Sequence, residues 1–175
     1  MILSNHRRAS CYRFHCPYSI SRCVCYKRGT NERIAHLTKV HGYARTIGLL
    51  ESLDEETLLT TEAAALVHDI GIKVCMEKYG NSRGELQEKE GPPLARALLS
   101  NLSFPTSITE RVAFLVGHHH TYTTIKGIDY QILVESDFLV NLEENHAKKQ
   151  VITKVYQEIF KTETGKLFCK MLFGM

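Results

Sequence analysis

From Asn31 onward, apolar residues recur every three or four positions. Ile34, Leu37, Val40, Ala44 and Ile47 fall on one side of a helix of 3.6 residues per turn. Thr30 or Asn31 can cap its start, and Gly48 lies near its end. A second helix is predicted from about Asp54 to Asp69. It is rich in Ala and Leu, carries Glu55 and Glu56 in its first turn, and meets Gly71 as a stop. Residues 72–84 read as irregular, with a loop signal at Gly80-Asn81-Ser82. A third helix spans about Glu85 to Asn101, broken at, or beginning at, Gly91-Pro92-Pro93. Ser107-Ile108-Thr109-Glu110 has the form of a capping box and opens a helix to about His118. Thr121 to Gly127 is polar and loop-like. Helices then follow over about Asp129–Glu144, Ala147–Lys161 and 163–173. No segment alternates as a strand does. The fold class is therefore all-α, a single-domain bundle of six or seven helices.

Residues 1–30 do not share this pattern. They hold six Lys or Arg, no Asp or Glu, and four of the six cysteines (Cys11, Cys16, Cys23, Cys25). The expectation for them is an atypical basic tail, disordered or poorly packed, ahead of a domain over 31–175. A zinc knuckle is the alternative, but the C-x4-C-x6-C-x-C spacing, with His6 and His15 nearby, matches none of the usual paired-cysteine patterns.

The net charge of +3 conceals this asymmetry: residues 31–175 carry 16 basic and 19 acidic side chains. The body of the chain has no general basic field, so no nucleic-acid partner is expected for it. No apolar run reaches the length of a membrane helix, and no secretory signal is read at the N-terminus. The expectation is a cytoplasmic protein with no membrane partner, with Cys75 and Cys169 as reduced thiols.

The chemistry lies in histidine and aspartate placed among apolar residues. His36 sits in the first helix, where a lone histidine is commonly a hydrogen-bonded core or edge residue; His41 lies on another face. His68-Asp69 closes the run Ala63-Ala64-Ala65-Leu66-Val67. An Asp there requires a cation, backbone donors or water, unless the helix simply ends in solvent. His118-His119-His120 follows Val112–Gly117. Neighbours on a helix differ by about 100°, so the three cannot all face one site, and C-terminal capping by His is the alternative. Asp137 lies in the apolar stretch Ile132–Val140, where Glu135 and Asp137 could instead mark a solvent face. Each segment alone admits a structural reading. Jointly, four helices each offer an imidazole or carboxylate, a natural N/O ligand set that a helical bundle can converge on one point.

The ordered set of His36-Leu37-Thr38-Lys39-Val40-His41-Gly42-Tyr43-Ala44, Ala64-Ala65-Leu66-Val67-His68-Asp69-Ile70-Gly71, Leu115-Val116-Gly117-His118-His119 and Val134-Glu135-Ser136-Asp137-Phe138-Leu139-Val140 resembles the HD superfamily of metal-dependent phosphohydrolases over about residues 31–165. The resemblance implies an HD-type helical bundle. It implies a divalent ion (Mn, Fe, Zn, Ni, Co or Mg) held by His36, His68, Asp69 and Asp137. His118 and His119 correspond to further histidines of members that hold a second metal. It also implies hydrolysis of a phosphate ester or anhydride, a nucleotide or related small molecule foremost.

The chain departs from that pattern at Gln87, where two-metal members carry His, and at Ile72, where many carry Lys, with Lys73 next. The first departure favours one metal over two. The Gly-Tyr-Pro signature of the cyclic-dinucleotide branch is absent after His118-His119. The catalytic residues expected are Asp69, His68 and Lys73. Lys39 and Arg83 are candidates for binding substrate phosphate, chosen on charge and proximity in sequence. The alternative is a non-catalytic sensor module that binds metal and nucleotide at a degenerate site. A homodimer is left open.

Overall fold

The computed structural model describes residues 31–175. The reading of residues 1–30 lies outside the described residues. Eight helices and no strand are found among the described residues: α1 (Asn31–Leu50), α2 (Glu55–Val67), α3 (Ile72–Tyr79), α4 (Gly84–Asn101), α5 (Thr106–Val116), α6 (Ile128–Glu144), α7 (Lys149–Glu158) and α8 (Glu163–Phe173). The all-α class is as expected. The additional helix is α3, two turns long, in the segment read as irregular. It ends at Gly80, whose φ of 69° suits a residue without Cβ.

Helix α1 buries Leu37, Val40, Ala44 and Ile47, the predicted face. Gly48 lies two residues before its end. The helix continues to Leu50, and Gly48 is a packing residue: a Cβ there would lie 2.7 Å from Leu58 Cδ1. At the start of α2, Asp54 accepts hydrogen bonds from the Thr57 amide (2.9 Å) and the Thr57 hydroxyl (2.8 Å).

Two local expectations give way to packing. Helix α4 runs unbroken through Gly91-Pro92-Pro93. Each interior proline costs about 3 kcal/mol in an isolated helix. Gly91 lets this stretch close against Val116 and Gly71; a Cβ at Gly91 would stand 2.6 Å from Val116 Cγ1. The capping box at Ser107 does not form. Pro105 occupies the cap, Ser107 Oγ donates to Glu56 (3.3 Å), and Glu110 accepts from Arg96 Nε (2.9 Å).

The core is organised around α2 and α6. Helix α1 packs on both, α5 packs on α2 and α4, and α8 closes the far side of α6. Burial of Ala63–Val67, Val112, Leu115, Val116, Ile132, Leu133, Leu139 and Val140 forms one continuous apolar cluster. Removal of this surface from water is the main stabilising term.

Glu135 is fully buried, and Asp137 is 7 % exposed, so neither marks a solvent face. Glu135 Oε1 accepts the backbone N–H of Lys161 (2.6 Å) and Thr162 (2.9 Å) and the Gln131 amide (2.8 Å). Its Oε2 accepts from the Thr162 hydroxyl. This carboxylate satisfies amide donors at the entry to α8 and is therefore structural. No helix among the described residues is long and apolar enough to cross a membrane.

Candidate metal centre

The Ala63–Val67 run draws the end of α2 into the core, so that His68, its C-cap, is 1 % exposed. Asp69 follows in the next turn. Helix α1 supplies His36, α6 supplies Asp137, and the turn after α5 supplies His119. Asp137 Oδ1 lies 3.3 Å from His36 Nε2 and 3.5 Å from His68 Nε2. Asp69 Oδ1 lies 3.7 Å from His68 Nε2 and 3.8 Å from His119 Nε2. One ligand atom each from His36, His68 and Asp69 lies within 4.8 Å of the others.

Three imidazoles are tethered from behind. His68 Nδ1–H donates to the Ala65 carbonyl (3.0 Å), and His119 Nδ1–H donates to the Val116 carbonyl (2.8 Å). His36 Nδ1–H donates to Glu144 Oε2 (2.9 Å). Asn141 Nδ2 donates to Asp137 Oδ1 (2.8 Å). Fixing Nδ1 as the donor directs Nε2 at the carboxylates, the arrangement that orients metal-binding histidines.

His68 Nε2 and His119 Nε2 are buried with no hydrogen-bond partner. Buried polar atoms are rarely left so. Nitrogen and oxygen atoms about 2.0–2.2 Å from a common ion stand about 3–4 Å from one another, which matches these separations. The donor set of imidazole and carboxylate thus fits a divalent transition ion.

Electrostatics favour positive charge here. Burial opposes ionisation of Asp137, but the His36 and His68 imidazoles beside it, 3.3 and 3.5 Å away, outweigh that and hold the carboxyl well below the usual range. Asp69 is likewise held low: burial acts against it, and the neighbouring His68 and His119 imidazoles outweigh that. For His36, burial works against the imidazolium, yet the bonds to Asp137 and Glu144 raise its pKa to about 9. Protons on the imidazoles balance the carboxylates here, a role a cation can take over.

The predicted residues divide clearly. His36, His68, Asp69, Asp137 and His119 come together. His118 turns the other way: its ring stacks on Phe114 with centroids 4.1 Å apart, and Nδ1–H donates to the Phe114 carbonyl (2.7 Å). Lys73 is exposed on α3, 3.7 Å from Glu77. Lys39 reaches Glu143 (3.3 Å) and Glu144 (3.4 Å), and so touches the cluster only through the partner of His36. Arg83 is exposed at the N-cap of α4. His41 pairs with Glu62 (3.1 Å), away from the cluster.

Glu144, Asn141 and Glu88 join the site without standing out in the linear pattern, where His120 is also indistinguishable from its neighbours. Asn141 and Glu144 follow Asp137 by four and seven residues and so share its helical face, a signal present in the sequence. Glu88 comes from a distant helix. Its Oε1 accepts the His120 backbone N–H (3.0 Å) and the Thr121 hydroxyl (2.9 Å), fixing the turn that carries His119. The His120 imidazole is driven down to about 4 by burial and by the neighbouring His119. Gln87 is buried. Its Nε2 donates to the Ser82 carbonyl (2.8 Å), while Oε1 has no hydrogen-bond partner.

No family model matches the chain, and no curated protein matches it. Among solved structures, the crystal structure of a predicted HD superfamily hydrolase from an uncultured Thermotogales bacterium superposes with a TM-score of 0.64 at 24 % sequence identity. The match covers 90 % of this chain and 84 % of that one. The helical arrangement is therefore the one found in that protein.

Proposed function

We propose that this protein is an HD-type, metal-dependent phosphohydrolase acting on a phosphate ester or anhydride of a small molecule, a nucleotide foremost. The observation that carries this reading is the convergence of His36, His68, Asp69 and Asp137 around the buried, unpartnered Nε2 of His68. The likeness to a predicted HD superfamily hydrolase supports it.

These four residues would hold a divalent ion, with His119 beside Asp69. When bound, such an ion lowers the pKa of water and polarises a phosphoryl oxygen. The protein's part is positioning. Glu144, Ala65 and Val116 lock the three imidazoles with Nε2 inward. Asn141 orients the Asp137 carboxylate. Asp69, kept ionised and 15 % exposed at its side chain, can accept a proton from a water it orients. The apolar shell of Ala63–Val67 and Ile132–Val140 keeps bulk solvent from the inner side of the site.

The experiment is metal analysis of the purified chain together with a hydrolysis screen over generic phosphate esters and nucleotides, with added Mn²⁺, Ni²⁺ or Co²⁺. Wild type is expected to bind metal and turn over. His68→Ala and Asp69→Ala are expected to lose both while staying helical by circular dichroism. Undiminished turnover by metal-free Asp69→Ala protein would overturn the proposal.

A further inference from the structure

His120 has no role in the centre as described above, yet it is built as carefully as the ligands. Its ring centroid lies 4.0 Å from that of His119. Its Nε2 is buried with no hydrogen-bond partner. The backbone beneath it is pinned by Glu88, which also holds Thr121. The ring rests on Gly84, where a Cβ would come within 2.8 Å of Cγ and Cδ2. Only a residue without a side chain leaves the ring this seat.

The two adjacent histidines differ in how their outer nitrogen is engaged. His119 donates from Nδ1 to a carbonyl, so its Nε2 carries the lone pair and suits a cation. Behind His120 stands a hydroxyl instead: Tyr122 Oη lies 3.4 Å from His120 Nδ1. The Tyr122 hydroxyl can donate to that nitrogen. With Nδ1 accepting, the proton resides on Nε2, and Nε2–H is a donor with nothing to donate to. A buried donor beside a cluster of ligand atoms calls for an acceptor that arrives with the substrate.

We propose that His120 is a substrate-contacting residue whose Nε2–H donates a hydrogen bond to an oxygen of the bound phosphoryl group, with Tyr122 and Gly84 setting its tautomer and place. This rests on the phosphohydrolase reading. It separates His119, which faces the metal, from His120, which faces the substrate.

The test uses the full chain loaded with Mn²⁺ and inorganic phosphate as the probe. Affinity is measured by titration calorimetry and metal per chain by elemental analysis. His120→Ala is expected to weaken phosphate binding about tenfold or more while leaving the metal content unchanged. Gly84→Ala, which displaces the ring without removing it, is expected to weaken binding in the same direction, and it decides the matter if His120→Ala does not fold. Tyr122→Phe is expected to shift the ¹⁵N signature of His120 toward the other tautomer. Phosphate affinity unchanged in His120→Ala, or absent in wild type, would overturn the proposal. So would loss of metal in His120→Ala, which would make the residue a ligand. A wild-type chain that takes up no divalent ion sinks the phosphohydrolase reading itself, a separate result read from the metal content alone.

Discussion

Glu144 Oε2 stands 2.9 Å from His36 Nδ1, and the opposite nitrogen of the same ring stands 3.3 Å from Asp137. One imidazole is thus held between two carboxylates of α6, seven residues apart on one helical face. The outer carboxylate fixes the ring and makes Nε2 a better base; the inner one shares its target. A carboxylate behind a metal-binding histidine contributes about 10–100-fold in metal affinity. Glu144→Gln should therefore lower affinity for Mn²⁺ or Zn²⁺ by that order, with the helical content unchanged. Chelator competition measures it. An unchanged affinity would remove Glu144 from the centre.

Metal should stabilise the fold, because the proposed ligands come from three helices and a turn that only the native state brings together. At an ion concentration about 100 times the dissociation constant, the gain is about 2.7 kcal/mol. The midpoint of thermal unfolding should rise on metal addition and fall back with chelator. Asp137→Ala should abolish the rise.

The metal-free chain should have its own pH profile. His36 is raised from 6.5 unfolded to about 9 folded, so its contribution is complete below about pH 6.5 and disappears as pH climbs to about 9. Asp69 and Asp137 are depressed, so their contribution is present above the ordinary carboxylate range and is lost on acidification. Thermal melts in the presence of chelator should show stability declining between about pH 6.5 and 9, a decline that His36→Gln flattens. Metal affinity should move the opposite way, strengthening over the same interval as the His36 proton leaves.

At the other end of α6, Glu135 and Gly165 are mutually dependent. A Cβ on residue 165 would collide with Glu135 Oε2. Gly165→Ala should destabilise by more than about 2 kcal/mol, through overpacking and disruption of the bonds to Lys161 and Thr162. Chemical denaturation tests this. Metal content per folded chain should stay as in wild type, since Glu135 touches none of the ligands.

Lys73 offers a contrast. It is exposed and paired only with Glu77 four residues on, and such pairs contribute about 0.3–0.5 kcal/mol. Lys73→Ala should leave stability and metal content within error of wild type. A rise in KM with kcat unchanged would assign it to substrate phosphate; metal loss would show that it supports the centre.

Much of this was legible in the linear pattern. Periodicity locates α1, whose buried face repeats every three or four residues; α2 is marked by its Ala- and Leu-rich run between first-turn acids and Gly71, and α6 by its long apolar stretch. The cost of burying an unpaired carboxylate marked Asp69 and Asp137 as residues in need of partners. What it could not resolve was direction around a helix end. His118, His119 and His120 are equivalent as letters, and the turn after α5, pinned by Glu88 of α4, sends one ring to Phe114, one to Asp69 and one onto Gly84. Pro92 and Pro93 likewise carry a local preference that close packing at Gly91 overrides. Element type and ligand chemistry follow from residues near in sequence. Second partners such as Glu144, the pinning of the His118–His120 turn by Glu88, and the structural role of Glu135 depend on contacts between residues 26 to 108 positions apart, and these exist only once the helices have packed.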